Sequence, residues 1–365
     1  MVALLLAILL IFPALPGQAQ PLSRNELGRK ALQLVVDHLK SEDSDVRALA
    51  AEILGEAGNK AAAGVLKTML EDRDKYVRIA ASRALWELGS PVGMKVVLGI
   101  INDVPAQGPI AVTNTPLVEL KIISQNKIRA KAIEIYTGIK GEKGTDLLYK
   151  LKNDNYGPIR DAAAMELARL GHEDELAQFI EALSAEEEAI RFEGASVLSK
   201  ICHSSAAEPL AKLLAAEKSV RVRMAALDAL KCAPRKDEAA SVLIKLADDE
   251  NPTIRYKAVS ALSGIKDAKV KAKLAALAAG SSDIKIRITA QKGLMLSGVP
   301  AEPKTAQDAM TAASPEIRLE ALEVAAGFSD ADALPLLAQA LDDPDTKVKL
   351  AGALQTLKRV SKKPI

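Results

Sequence analysis

Aromatic side chains are scarce, 3% of the 365 residues, and that scarcity disfavours a sandwich or barrel, whose strands need bulky residues. Histidine is nearly absent. His38, His172 and His203 are the full set, each lies near an expected helix boundary, and none is spaced with a second His or Cys as a metal site requires. Neither sign of charge prevails: 49 Lys and Arg against 47 Asp and Glu leave a formal charge of +2. No basic field exists to hold a phosphate backbone, and no nucleic acid is expected as a partner. Catalytic signatures are missing too, with no Gly-x-Ser-x-Gly elbow, no His-Glu-x-x-His and no phosphate loop. Gly138, Gly141 and Gly144 follow no strand and fall where two helices must turn. The chain is therefore not expected to be an enzyme, and no metal or cofactor is expected either.

What is present begins at the amino terminus. Val2 to Leu15 is an uncharged apolar run of 14 residues, short of the roughly 20 that a membrane span needs. Pro16-Gly17-Gln18-Ala19 follows, with small residues at Gly17 and Ala19 where a signal peptidase inspects the chain. Residues 1–19 thus read as a signal peptide and residues 20–365 as one exported domain, periplasmic or extracellular, with no transmembrane span once the signal is removed. No Lys or Arg precedes the apolar run.

That domain repeats. An aliphatic-then-basic pair recurs at Arg47, Arg78, Arg129, Arg160, Arg191, Arg223, Arg255, Arg287, Arg318 and Lys349, with gaps of 31 or 32 except one of 51. Each period has room for two helices of about 12 residues and two turns. The residue before the basic position is always Val or Ile. Three after it stands Ala or Gly, as in Ala50, Ala81, Ala163, Gly194, Ala258 and Gly352, and seven after it Leu is the commonest choice. At about 100° per residue these positions share one stripe, and the small residue marks where a neighbouring helix crosses closely. Four before the basic position lie Asp43, Asp74, Ser219, Asn251, Asp283, Ser314 and Asp345, side chains able to accept from the orphan amides of a first helical turn. The fold expected is all-α, an alpha-alpha superhelix of about ten helical hairpins.

The runs Asp45-Val46-Arg47 through Leu54-Gly55 and Val77-Arg78 through Leu88-Gly89 resemble the short HEAT-like repeat of phycobilisome lyase-type proteins and many bacterial scaffolds. The resemblance covers roughly residues 25 to 360. It implies that the second helix of each hairpin lines the concave side and that its variable positions hold the ligand. Bilin lyase activity is not implied, because the same repeat serves unrelated roles.

On that expectation, the position one after the basic residue belongs to the binding surface. It is unexpectedly apolar: Phe192, Met224, Tyr256 and Ile288 form the centre of a row extended by Ile79 and Leu319. Such a ridge, flanked by charges five residues on, suits a protein or peptide partner. The alternative is that the row packs against the next repeat. The long gap conceals an insertion near residues 103–120, uncharged from Pro105 to Val118, in which Ile110 and Val112 are candidate partner contacts. Cys202 and Cys232 stand near corresponding ends of adjacent second helices. They are a possible disulfide, although helix axes about 8 to 10 Å apart favour two small buried side chains instead. The reading that results is a monomeric, non-catalytic scaffold. Its rivals are a nucleic-acid-binding HEAT-like protein and a structural spacer with nothing in its groove.

Overall fold

The computed structural model describes residues 23–105, 116–234 and 236–361, and no strand occurs among them. The signal-peptide residues, Ile110 and Val112 lie outside these. Ten helix pairs follow one another. First helices are α1 (Arg24–His38), α3 (Ala63–Thr68), α5 (Met94–Ile101), α7 (Thr145–Leu151), α9 (Glu173–Glu181), α11 (Ala207–Ala216), α13 (Ala240–Leu246), α15 (Ala268–Gly280), α17 (Pro303–Met310) and α19 (Asp330–Leu341). Second helices are α2 (Ser44–Glu56), α4 (Lys75–Glu87), α6 (Pro116–Lys140), α8 (Gly157–Leu170), α10 (Glu188–Ile201), α12 (Val220–Cys232), α14 (Pro252–Leu262), α16 (Ile284–Leu296), α18 (Pro315–Ala325) and α20 (Thr346–Ser361).

The sequence stripe is the core. Ala50, Ala81, Ala132, Ala163, Ala226, Ala258, Ala290 and Ala321 are all fully buried. A Cβ on Gly194 would come within 2.8 Å of the Ala182 methyl, and one on Gly352 within 2.6 Å of the Ala340 methyl. The close crossing is therefore between the two helices of one hairpin. Six of the seven expected caps accept a first-turn amide, those at Asp43, Asp74, Ser219, Asn251, Asp283 and Asp345. Ser314 does not, because its hydroxyl turns to Glu316 instead.

In five of the repeats the basic residue that marks the period turns out to be a clamp. Arg47 donates to the Ser41 and Glu42 carbonyls of the turn before its own helix and makes a paired bond at 2.9 Å to Asp72 of the next repeat. Arg318 does the same to the Ala312 and Ala313 carbonyls and to Asp343. Arg129, Arg191 and Arg223 reach Asp154, Glu217 and Asp249 likewise. Each of these acids also accepts the amide two residues on, closing its own turn. A planar fork with several donors can satisfy carbonyls and a carboxylate at once, which a lysine cannot.

The array does not end as an open superhelix. Each second helix packs against the next, from α2 through α20, and α20 packs back against both α2 and α1. Leu27, Val35, Leu54 and Leu85 belong to the same buried cluster as Leu322, Leu336, Leu350 and Ala353. Gly28 lies so near Val360 that a Cβ would stand 3.0 Å from it. Arg24 and Arg359 share Asp330, Lys30 meets Asp342 and Lys358 meets Glu56. The hairpins thus close into a ring. The second helices are inside, since side chains bridge across an intervening second helix, as Tyr256 does to Glu320.

The two cysteines form a disulfide with Cα atoms 5.3 Å apart. Axis spacing misleads here because Cys202 lies past the body of α10. It follows the last helical residue with φ 57°, in the left-handed region that asparagine or glycine more often fills, and the chain turns there toward the end of α12.

Candidate functional site

Around the recess described below, the inner wall carries side chains from one, two and five positions after the clamp arginine together with first-turn residues such as Asp45 and Tyr76. The apolar row is not an open ridge. Ile79 is 2% exposed and Ile288 fully buried, so neither projects as an anchor, contrary to the sequence expectation. Phe192, Met224, Tyr256 and Leu319 are half-buried. For Phe192 and Tyr256 the reason lies in the first turn of the following second helix, whose side chain closes over the ring. Arg221 stands 4.4 Å above the Phe192 ring and Lys285 3.8 Å above the Tyr256 ring, both within cation–π range. Tyr256 also donates to Glu320 at 2.8 Å, and Thr289 reaches the other oxygen of that carboxylate at 2.5 Å. Burial and the Glu320 carboxylate push the Tyr256 phenol well above its ordinary range.

Across this arc, α12 to α18, acids on the wall find cations of the chain itself. Lys257 pairs with Asp228 and Lys292 with Glu323. A second polar cluster sits on α6 and α8, where Lys131 holds both oxygens of Glu134 at 3.0 Å. Glu166, 4% exposed, pairs through one oxygen with Arg169 at 3.0 Å. Its other oxygen and the Arg169 Nε are buried without a partner among the described residues. Burial, aided by the Glu134 carboxylate and opposed by Arg169, lifts Glu166 to about 7.

Between α2, α4 and α6 the wall opens into a hollow of 220 Å3 lined by Asp45, Ala48, Leu49, Glu52, Tyr76, Ile79, Ala80, Lys131 and Ile135. Of these, the sequence analysis named Ile79 as an anchor. The first-turn row that decides which stretches are roofed, Tyr76, Arg221 and Lys285 among them, went unread. Its signal is a cation 29 residues after an aromatic, as in Phe192 to Arg221 and Tyr256 to Lys285.

The insertion extends α6 by ten residues before the point where the other second helices begin, about 15 Å of extra length. Leu117, Leu120 and Ile123 on this extension are 79%, 61% and 51% exposed. Among the described residues no group of three or more His, Cys, Asp or Glu is placed to hold a metal ion, and no helix is long and apolar enough to cross a membrane.

The profile of HEAT repeats matches residues 32–108, 144–231 and 221–295, well over half of the sequence. The chain belongs to the HEAT-repeat family. Among solved structures it is similar to Kap121p bound to Nup53p, at 13% identity and a TM-score of 0.36 over 90% of this chain. It spans 41% of the length of Kap121p. It is also similar to the CpcE and CpcF complex of phycocyanin lyase from Nostoc sp. PCC7120, at 17% identity, a TM-score of 0.33, and 90% and 97% of the two chains. Human deoxyhypusine hydroxylase in complex with glycerol gives 16% identity and a TM-score of 0.31, over 75% of this HEAT-repeat chain and 96% of the hydroxylase. At these identities the likeness shows the repeat fold alone. No curated protein matches the chain.

Proposed function

We propose that this HEAT-repeat ring is an extracytoplasmic, non-catalytic scaffold that holds a segment of a protein partner against its inner wall. The supporting observation is the unbroken cycle of second helices, which turns the variable face of every repeat toward one shared opening. Ten axes spaced about 9 Å apart draw a circle about 30 Å across, and the thickness of the helices leaves about 20 Å. One helix or an extended segment fits that opening. Charges of both signs alternate along the wall and pair locally, which gives a nucleic acid no continuous basic track. Export is supported by the apolar amino-terminal run and by the Cys202–Cys232 disulfide, a bond that persists in oxidising compartments. Closure leaves no unpaired repeat at either end, which supports a monomer.

One observation favours the spacer reading for part of the wall: Phe192 and Tyr256 are already covered by the chain's own cations. A photo-crosslinking residue placed at Met224 inside the ring, or at Ala276 on the outside, separates the two readings in cells of the source organism. A protein adduct at Met224 and none at Ala276 is the expected result. Equal yields at both, or none at Met224, would send the scaffold reading back to the spacer.

A further inference from the structure

We propose that the hollow between α2, α4 and α6 receives one lysine or arginine side chain, carried by an extended protein segment that lies on the inner wall. This deepens the scaffold reading and rests on it. At 220 Å3 the hollow equals about seven waters of liquid volume, room for one side chain and not for a folded element. Ala48, Leu49, Ile79, Ala80 and Ile135 give it an apolar floor suited to a methylene stem. Asp45 and Glu52 stand at its edge, and neither carboxylate takes a hydrogen bond or ion pair among the described residues. The Tyr76 ring, whose hydroxyl is likewise unbonded, offers a face to a cation.

Positive groups face the hollow as well, but they are engaged: Lys131 by Glu134 at 3.0 Å and Arg83 by Glu87 at 3.1 Å. What remains unbalanced is negative. Burial pushes Glu52 above the ordinary carboxylate range, against the pull of Arg83 and Lys131, so a donor arriving there recovers an interaction the empty site forgoes. The rest of the ring shows what the position accepts. Where the following helix begins with Arg221 or Lys285, that cation lies over the preceding aromatic ring. The same place on α4 holds Tyr76, and the cation is left for a guest to bring.

The test is fluorescence anisotropy of the disulfide-intact chain with a labelled, end-blocked Ala/Ser peptide carrying one central Lys, with the same peptide carrying Arg, and with one carrying norleucine. Saturable binding of the Lys and Arg peptides is expected, weaker by roughly tenfold or more for norleucine, which keeps the stem and drops the charge. The double variant Asp45→Asn, Glu52→Gln should lose affinity for the Lys peptide by a similar factor. Ala48→Leu should abolish binding by filling the floor. Equal binding of Lys and norleucine peptides to the unmodified protein, or no saturation at all, overturns the proposal even if a variant fails to fold. Undiminished binding by the folded double variant overturns it too. The Met224 crosslink reads the parent idea separately. An adduct there without Lys-peptide binding removes this pocket only, whereas Lys-peptide binding without the adduct supports the pocket and removes the claim of a protein held by the whole ring.

Discussion

Two arcs of the inner wall are built from the same repeat and differ in who supplies the cation. On the arc from α12 to α18, acids and rings meet lysines or arginines of the chain: Lys257 on Asp228, Lys292 on Glu323, Lys285 over Tyr256. On the arc from α2 to α6, roughly opposite, Asp45 and Glu52 form no ion pair among the described residues, and the wall is indented beside Tyr76. The scaffold constrains a repeat at its stripe and its clamp and leaves the first-turn side chain free.

Breaking the clamps sets the largest scale for the contrast. Arg129, on the indented arc, is 1% exposed and bonds Asp154, Asn126 and the Ile101 carbonyl. Arg129→Met leaves a buried carboxylate without its partner and should cost about 3–5 kcal/mol in a denaturant titration. Arg287→Met, on the closed arc, removes a bond to the Ser281 carbonyl alone, and should cost under about 1 kcal/mol. Equal losses would show that clamps matter less than stripe packing.

A pH-dependent effect of intermediate size is expected at Glu166. Its folded value, about 7, lies above the ordinary carboxylate value of 4.5, so the folded protein prefers the protonated form. That contribution is complete below about pH 4.5 and fades as pH rises through 7. Glu166→Gln should therefore be more stable than the unmodified protein at pH 8, by about 2 kcal/mol, and the difference should shrink toward pH 5 in melts recorded across that range. A gap that stays constant with pH would mean Glu166 is fully ionised in the fold.

The smallest effects sharpen the two arcs directly. Tyr256→Phe removes the donor to Glu320 and should cost about 1–2 kcal/mol. Tyr76→Phe removes a hydroxyl that bonds nothing and should stay within about 0.5 kcal/mol. Thermal melts of the pair decide it, and matching losses would mean the indented arc is as fully bonded as the closed one.

Much of this was legible in the sequence, for identifiable reasons. The invariably small residue at Ala81, Ala163 and Ala258 had to be core, because a bulky side chain cannot survive where helices cross that closely. Caps at Asp43, Asn251 and Asp345 were readable because an N-cap is a local interaction. Closure was not readable from the period, because a repeat specifies only how neighbours meet, and the small rotation per junction accumulates without trace in any one residue. A trace did exist at the ends. An open solenoid needs polar capping helices, yet α1 presents Leu27, Ala31 and Val35 and α20 presents Leu350 and Ala353, all fully buried. Which of the two readings of the apolar row held at Phe192 and Tyr256 was not legible, for a related reason. Its cover comes from the next repeat, 29 residues away, and not from its own helix.

The meeting of α1 with α20 has a mechanical consequence. In a linear array the terminal units fray first, each lost at the cost of one junction, whereas a bracelet must surrender two junctions before any link swings free. The described chain ends near Arg24 and Arg359 are hydrogen-bonded to one another, so a circular permutant joined there and cut at an exposed turn such as Gly298 has the same links to keep. Such a molecule, like the original, should melt in one step, and a chain with a link deleted should not.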